Sequence, residues 1–138
     1  MKILLPFIIL ILLVIGCKDS GKDAEAIYSS TEPIKITASQ LIDTYETNPV
    51  AAHDRFYRKP VLVTGKLTLI KDGNDFQDIA LVLENNKDSQ KKIIAHALES
   101  ERQNISAFIV GDKISLLCIG SQSSLENVIS LISCKVAK

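Results

Sequence analysis

The 138-residue sequence predicts a mainly β domain with some α: a five-stranded barrel led by a short helical segment and carrying a helix between its third and fourth strands. Three observations carry this expectation. Five apolar segments of strand length lie between turn-forming clusters; helical spacing of apolar residues occurs only ahead of the first segment and between the third and fourth; and the first strand is long, with Gly65 near its middle. With 46% hydrophobic and 23% charged residues the chain is apolar enough to build a core, and its length fits one domain. Sixteen basic and 16 acidic side chains leave no net charge, which removes the electrostatic case for a broad nucleic-acid or anionic-membrane surface.

The chain opens with Lys2 and an unbroken apolar run over residues 3–15, the layout of a signal peptide. As a helix this run would span roughly 20 Å, short of the ~30 Å hydrocarbon core that a spanning helix must cross. It ends in Val14-Ile15-Gly16-Cys17, which resembles a bacterial lipobox, in which the cysteine is lipidated and becomes the first mature residue. The resemblance implies a signal peptide over residues 1–16 and acyl chains on Cys17 that anchor the protein to a membrane without spanning it, at about 0.8 kcal/mol per buried methylene. Lys18, not aspartate, follows the cysteine, which by the same resemblance points to the outer membrane of the cell envelope, on its periplasmic side or its surface. Residues 17–35 then read as the lipidated cysteine and a flexible polar tether that holds the domain roughly 20 to 25 Å from the lipid.

From residue 36 the pattern becomes regular. Thr37-Ala38-Ser39-Gln40 has capping-box spacing, and Leu41, Ile42 and Tyr45 follow at helical intervals. Asn48-Pro49 interrupts that helix, a second short one covers residues 50–56, and Lys59-Pro60 turns into the first strand. In that strand, residues 61–70, Val61, Val63, Gly65, Leu67 and Leu69 share one face and Thr64, Lys66 and Thr68 the other, with Gly65 suggesting a bulge or sharp coil. Turn chemistry at residues 71–75 leads to a second strand through Ile79, Leu81 and Leu83, and a polar turn at 85–90 leads to a third over 92–98. Ser100 with Gln103 offers another capping box, Ile105, Phe108 and Ile109 form an apolar helical stripe, and Gly111-Asp112 closes this helix before the last two strands.

Strand, strand, strand, helix, strand, strand, with a long first strand broken by glycine, is the layout of an OB-fold barrel. Asn48, Ala52, Phe56, Lys59, Val63, Gly65 and Leu67 fall at the spacing Asn-x3-Ala-x3-aromatic-x2-Lys-x3-Val-x-Gly-x-hydrophobic, and Gly111-Asp112-Lys113-Ile114 supplies a Gly-Asp-x-hydrophobic step into the fourth strand. Over roughly residues 36–136 the chain thus resembles the tRNA-anti-like family of bacterial envelope OB-fold proteins, with His53 where aspartate is usual and Phe56 where tyrosine is usual. The resemblance implies an OB-fold domain over residues 36–138 and brings no catalytic or ligand-binding residue with it.

With Cys17 lipidated, Cys118 and Cys134 remain as a pair in an oxidising compartment. Both lie in strand-like segments joined by a polar loop, and pairing 118 with 134 sets Leu116 against Val136 and puts Ile114, Leu116, Ile132 and Val136 on the cysteine face. A disulfide is expected, with two buried free thiols as the alternative. Without a Cys-x-x-Cys or a histidine close by in sequence, no metal site is expected there.

Nucleic-acid binding by an OB-fold needs aromatic platforms on the strands and a basic groove. Of the aromatics after Cys17, Tyr28 lies in the tether, Tyr45, Phe56 and Tyr57 in the leading helices, Phe108 in the later helix and Phe76 in a loop, so the strands carry none and no nucleic acid is expected as partner. Arg55, Arg58, Lys59, Lys91 and Lys92 read as solvated surface. The two histidines, His53 and His96, sit in no recognisable catalytic motif, so neither catalysis nor a cofactor is expected. What remains is a non-enzymatic module anchored by lipid on Cys17 that contacts an envelope protein, with oligosaccharide or small-molecule binding at the barrel face as the alternative. The loops that flank an OB-fold binding face are here residues 71–78 and 120–127, and their lone apolar residues, Phe76 and Leu125, mark the expected contact surface.

Overall fold

Six strands form a single sheet that closes on itself, and the computed structural model describes it through residues 20–73, 78–84, 89–122 and 127–138. Cys17, Phe76 and Leu125 lie outside the described residues. The barrel consists of β2 (Pro60–Lys71), β3 (Ile79–Leu83), β4 (Lys92–Ala97), β5 (Lys113–Gly120) and β6 (Val128–Val136). They neighbour one another in the order β2-β3-β4-β6-β5, and β5 returns to β2 to close the ring. Only β4 and β6 run parallel within it. This is the OB-fold expected from the order of elements. A sixth strand, β1 (Ile34–Thr37), adds in parallel to the start of β2.

The barrel closes because each strand presents apolar side chains at period two to one core. Val61, Val63, Leu67, Leu81, Leu83, Ile93, Ala95 and Leu116 are fully buried there. Helices α2 (Ala38–Thr47) and α3 (Pro49–Phe56) add Leu41, Ile42, Ala52 and Phe56 to the same cluster. The expected capping box starts α2: the Gln40 amide donates to Thr37 Oγ1 (3.2 Å) and the Thr37 amide to Gln40 Oε1 (3.1 Å). Asn48 then ends α2 and begins α3, its side chain accepting from the Ala51 amide (3.1 Å) with Pro49 in the first turn.

Four local expectations are corrected. Gly65 is not a bulge; a Cβ there would lie 2.6 Å from Ala38 Cβ, so the glycine lets α2 approach β2. The irregularity in β2 lies between Leu67 and Leu69, where Thr68 is the extra residue, and it turns Leu69 outward to 52% exposure. Beyond β4 the chain makes a 3-10 turn (Glu99–Glu101) and one α-helical turn, α4 (Arg102–Ile105), with no side-chain cap from Ser100. Ile109 is therefore exposed rather than part of a stripe, because residues 109–112 are drawn to the β2 edge by Gly111 N–H to Leu67 O (2.8 Å) and Leu67 N–H to Asp112 O (2.8 Å). In β6, Ile132 leaves the cysteine face for solvent: the strand carries one extra residue opposite both β4 and β5, with Ser133 at φ 52°. Leu116 does face Val136, and Cys118 and Cys134 are joined by a disulfide with their Cα atoms 4.1 Å apart.

The flexible tether is also corrected over most of its length, because residues Ser20–Ser30 form a helix, α1, docked on β5 and β6. Ala24 is buried, and the Tyr28 hydroxyl, with one proton to give, lies between the carbonyl oxygens of Leu117 (3.2 Å) and Ser133. Lys135 Nζ binds Glu25 Oε1 (3.0 Å) and sits 4.5 Å above the Tyr28 ring. The bulge explains the fit: it presents the Ser133 carbonyl toward the helix. Among the described residues no helix is long and apolar enough to cross a membrane.

Burial, and then the charges of Glu25 and Glu101, push the Tyr28 phenol far above its usual range. A neutral, docked phenol opposite an unfolded-state value of about 10 makes the contact stable below roughly pH 10 and lost as pH rises above it. We expect the 13Cα shifts of α1 to move toward coil values across that alkaline range. Tyr28→Phe should weaken docking by about 1 kcal/mol and remove the alkaline step; shifts that stay helical throughout would show α1 to be held by its apolar contacts alone.

Candidate functional site

The outward face of β2, β3, β4 and β6 carries the most continuous apolar strip that the strand registers define. Leu69 lies beside Val82, Val82 beside Ile94, and Ile94 beside Ser130, one row running straight across four strands. At about 4.8 Å between strands this row spans roughly 14 Å. A second row follows with Lys71, Ala80 and His96, and Lys92 beside Val128 forms the edge on the other side. The bulge at Thr68 creates the first row. Without the extra residue Leu69 would share the inward parity of Leu67; with it Leu69 faces out and Ile70 packs on the core. The Thr68 hydroxyl donates to the Val82 carbonyl (3.1 Å), fixing the displaced segment against β3. Val82 and Ile94 are half-buried and Leu69 is exposed.

The two loops expected to share one contact surface, which join β2 to β3 and β5 to β6, are rooted beside opposite ends of β4. Residues 72–78 connect to Ile79, which faces Ala97 at the end of β4, whereas Asn127 accepts from the Lys92 amide (3.0 Å) at its start. The described roots of these loops, at Ile79 and Asn127, therefore lie on either side of the apolar row, separated by a strand of about 17 Å, while Phe76 and Leu125 themselves lie outside the described residues. Arg102 ties down the root of the first loop with a two-point contact to Asp72 (2.8 and 3.0 Å) and a further one to Glu99. Its hydrogen bonds hold both carboxyls below the usual carboxylate range. Such an exposed pair orders the loop base more than it stabilises the fold.

The histidines occupy separate elements: His53 stacks on Tyr57 (4.6 Å between ring centroids) from α3, and His96 stands on β4 beside Ala80. Among the described residues no group of His, Cys, Asp and Glu could hold a metal ion. A cleft of about 450 Å³ lies at the start of α2, between Lys66, Glu84 and Lys113, with the capping box already occupying Thr37. A second, of about 570 Å³, lies between α1, Tyr57, Arg58 and the β5–β6 hairpin.

The sequence reading missed the apolar row, although it left a trace. The runs Ile79-Ala80-Leu81-Val82-Leu83 and Ile93-Ile94-Ala95 are apolar at every position instead of alternating, which marks strands that have company on both faces. Leu69 left no such trace, because its orientation depends on a bulge that no glycine announces.

A family model described as tRNA_anti-like matches residues 1–135. No curated protein matches the sequence. Among solved structures, a protein of Klebsiella pneumoniae subsp. pneumoniae MGH 78578 described as a "putative nucleic acid-binding lipoprotein" is similar at a TM-score of 0.65 and 17% identity, over 83% of this chain and 97% of that one. A Leishmania major Friedlin protein described as a "putative aspartyl-tRNA synthetase" is similar at a TM-score of 0.51 and 14% identity, over 80% of this chain and only 21% of its own length. At these identities the likeness is one of fold.

Proposed function

The chain belongs to the tRNA_anti-like family, and from that premise we propose that it is a lipid-anchored, non-enzymatic module of the bacterial cell envelope that binds another protein through the outward face of β2, β3 and β4. The observation that carries the protein-binding reading is the apolar row Leu69, Val82 and Ile94, exposed at Leu69 and half-buried at the other two, on a sheet whose other face is already packed. The anchor rests on the apolar run ending in Gly16-Cys17, and the Klebsiella neighbour's description as a lipoprotein supports it. Lys18 directly after the cysteine favours the outer membrane. That neighbour's description also names nucleic acid. Stacked bases need aromatic rings, each contributing about 1 to 3 kcal/mol; the first row of this face offers the aliphatic Leu69, Val82 and Ile94, and its second row a single ring, that of His96.

The test places a photo-crosslinking residue at Lys71, exposed on the same face, in the full chain expressed in its own cells. We expect a discrete protein adduct. Leu69→Glu should remove it, because losing one buried leucine contact costs about 1.5 to 3 kcal/mol, roughly ten- to a hundredfold in affinity. An adduct unchanged by Leu69→Glu, or capture of oligonucleotide or glycan in place of protein, overturns the reading.

A further inference from the structure

Docking of α1 changes the distance between barrel and membrane, and this inference rests on the proposed lipidation of Cys17. Only two residues, 18 and 19, separate Cys17 from the start of α1 at Ser20. Fully extended, that connection reaches about 11 Å. The first described turn of α1 lies over a particular end of the barrel: Asp23 and Ala24 line a cleft with Tyr57, Arg58, Ser121 and Gln122. The same end is bound together by Arg58 N–H to Gly120 O (2.9 Å) and Gly120 N–H to Lys59 O (3.0 Å).

We propose that this end of the barrel, carrying Arg55, Arg58 and Lys59 with Tyr57 beside them, rests on the headgroups of an anionic bilayer, with α1 as the strap that holds it there. Arg55, Tyr57, Arg58 and Lys59 are all exposed. Among the described residues Asp23 lines the same cleft and Asp54 adjoins Arg55 in α3, two acids beside three cations. A headgroup layer of about 5 to 7 Å on each side of the hydrocarbon, together with a connection of ~11 Å, leaves these cations in reach of lipid phosphates. Such cations are drawn to an anionic surface once they come within a Debye length of it. Tyr57, 40% exposed and stacked on His53, presents an amphipathic ring of the kind that favours the interface. The opposite end of β5, where Val110 is 55% exposed, is carried away from the membrane by seven residue steps, about 24 Å.

The measurement uses full-length acylated protein in vesicles of phosphatidylethanolamine and phosphatidylglycerol, with a fluorophore on Gln122→Cys or, as the distal control, Val110→Cys, and a quencher attached to lipid headgroups. We expect loss of fluorescence at 122 and none at 110. Arg58→Glu with Lys59→Glu should restore fluorescence at 122 while the protein stays in the vesicle fraction. Equal quenching at both positions, quenching at 110 alone, or insensitivity to the charge reversal overturns the proposal while leaving the anchor intact. Intact mass shows the other failure separately: a Cys17 without acyl chains overturns the anchor and the membrane-facing end together.

Discussion

Gly120→Ala should prevent the chain from forming its native barrel, the largest effect expected of any single methyl group in this protein. A Cβ at this position would lie 1.9 Å from the Phe56 carbonyl oxygen and 2.6 Å from its carbon. Both sides of the clash are backbone and both are pinned. Gly120 sits at the end of β5, bridged to Tyr57, and exchanges hydrogen bonds with Arg58 and Lys59. Phe56, at 0% exposure, ends α3 inside the core, and Arg58 holds φ 56° to bring the chain around into β2. Relief would have to come from separating α3 from β5, which opens the junction where helices and barrel meet. Overpacking by a methyl group commonly costs about 1 to 3 kcal/mol when side chains can yield; with backbone on both sides the cost belongs above about 4 kcal/mol. Equilibrium unfolding in urea, or failure to recover folded protein, reads this out. A variant melting within a few degrees of the parent would mean that α3 shifts freely.

The same junction shows why the barrel was legible in the sequence while some of its consequences were not. Strand identity is a short-range property: Val61, Val63 and Leu67 alternate, Lys59-Pro60 breaks the preceding helix, and turn residues separate the remaining segments. Each of these signals sits within a few residues of what it specifies. The two bulges do not announce themselves this way. Thr68 and Ser133 are ordinary hydroxyl residues, and only the partner strands reveal that each is one residue too many. One bulge turns Leu69 outward and completes the apolar row, and the other turns Ile132 outward and presents the Ser133 carbonyl to Tyr28. Helix α1 was hidden for a related reason. Ala24, Ile27 and Tyr28 have helical spacing, but so short an apolar face among charges has meaning only against Leu117 and Ser133, 89 and 105 residues away. Strand β1 is four residues long and runs into the capping box at Thr37, which masks it. For the functional face, attention to the loops led to Phe76 and Leu125, whereas the described sheet between those loops carries its own apolar surface.

Replacing Cys118 and Cys134 together with alanine should lower the melting temperature by on the order of 10 °C, since a cross-link closing a loop of this length contributes about 3 kcal/mol in the chain-entropy model. The sequence separation is 16, and both cysteines are fully buried, so the alanine pair loses the tie without stranding a polar group in the core. The consequence reaches beyond the hairpin. Cys134 directly follows the bulged Ser133, whose carbonyl accepts from Tyr28, and Cys118 directly follows Leu117, the other carbonyl at that hydroxyl. The disulfide therefore fixes the two acceptors that dock α1, and releasing it should loosen the helix as well as the strands. A double-mutant cycle between the alanine pair and Tyr28→Phe separates these effects: groups sharing one network couple by about 0.5 to 3 kcal/mol, whereas independent ones add. We expect coupling, with the effect of Tyr28→Phe reduced once the disulfide is gone. Strict additivity would show that the bulge keeps its shape without the cross-link; an unchanged melting temperature in the alanine pair would show that the hairpin is already closed in the unfolded chain.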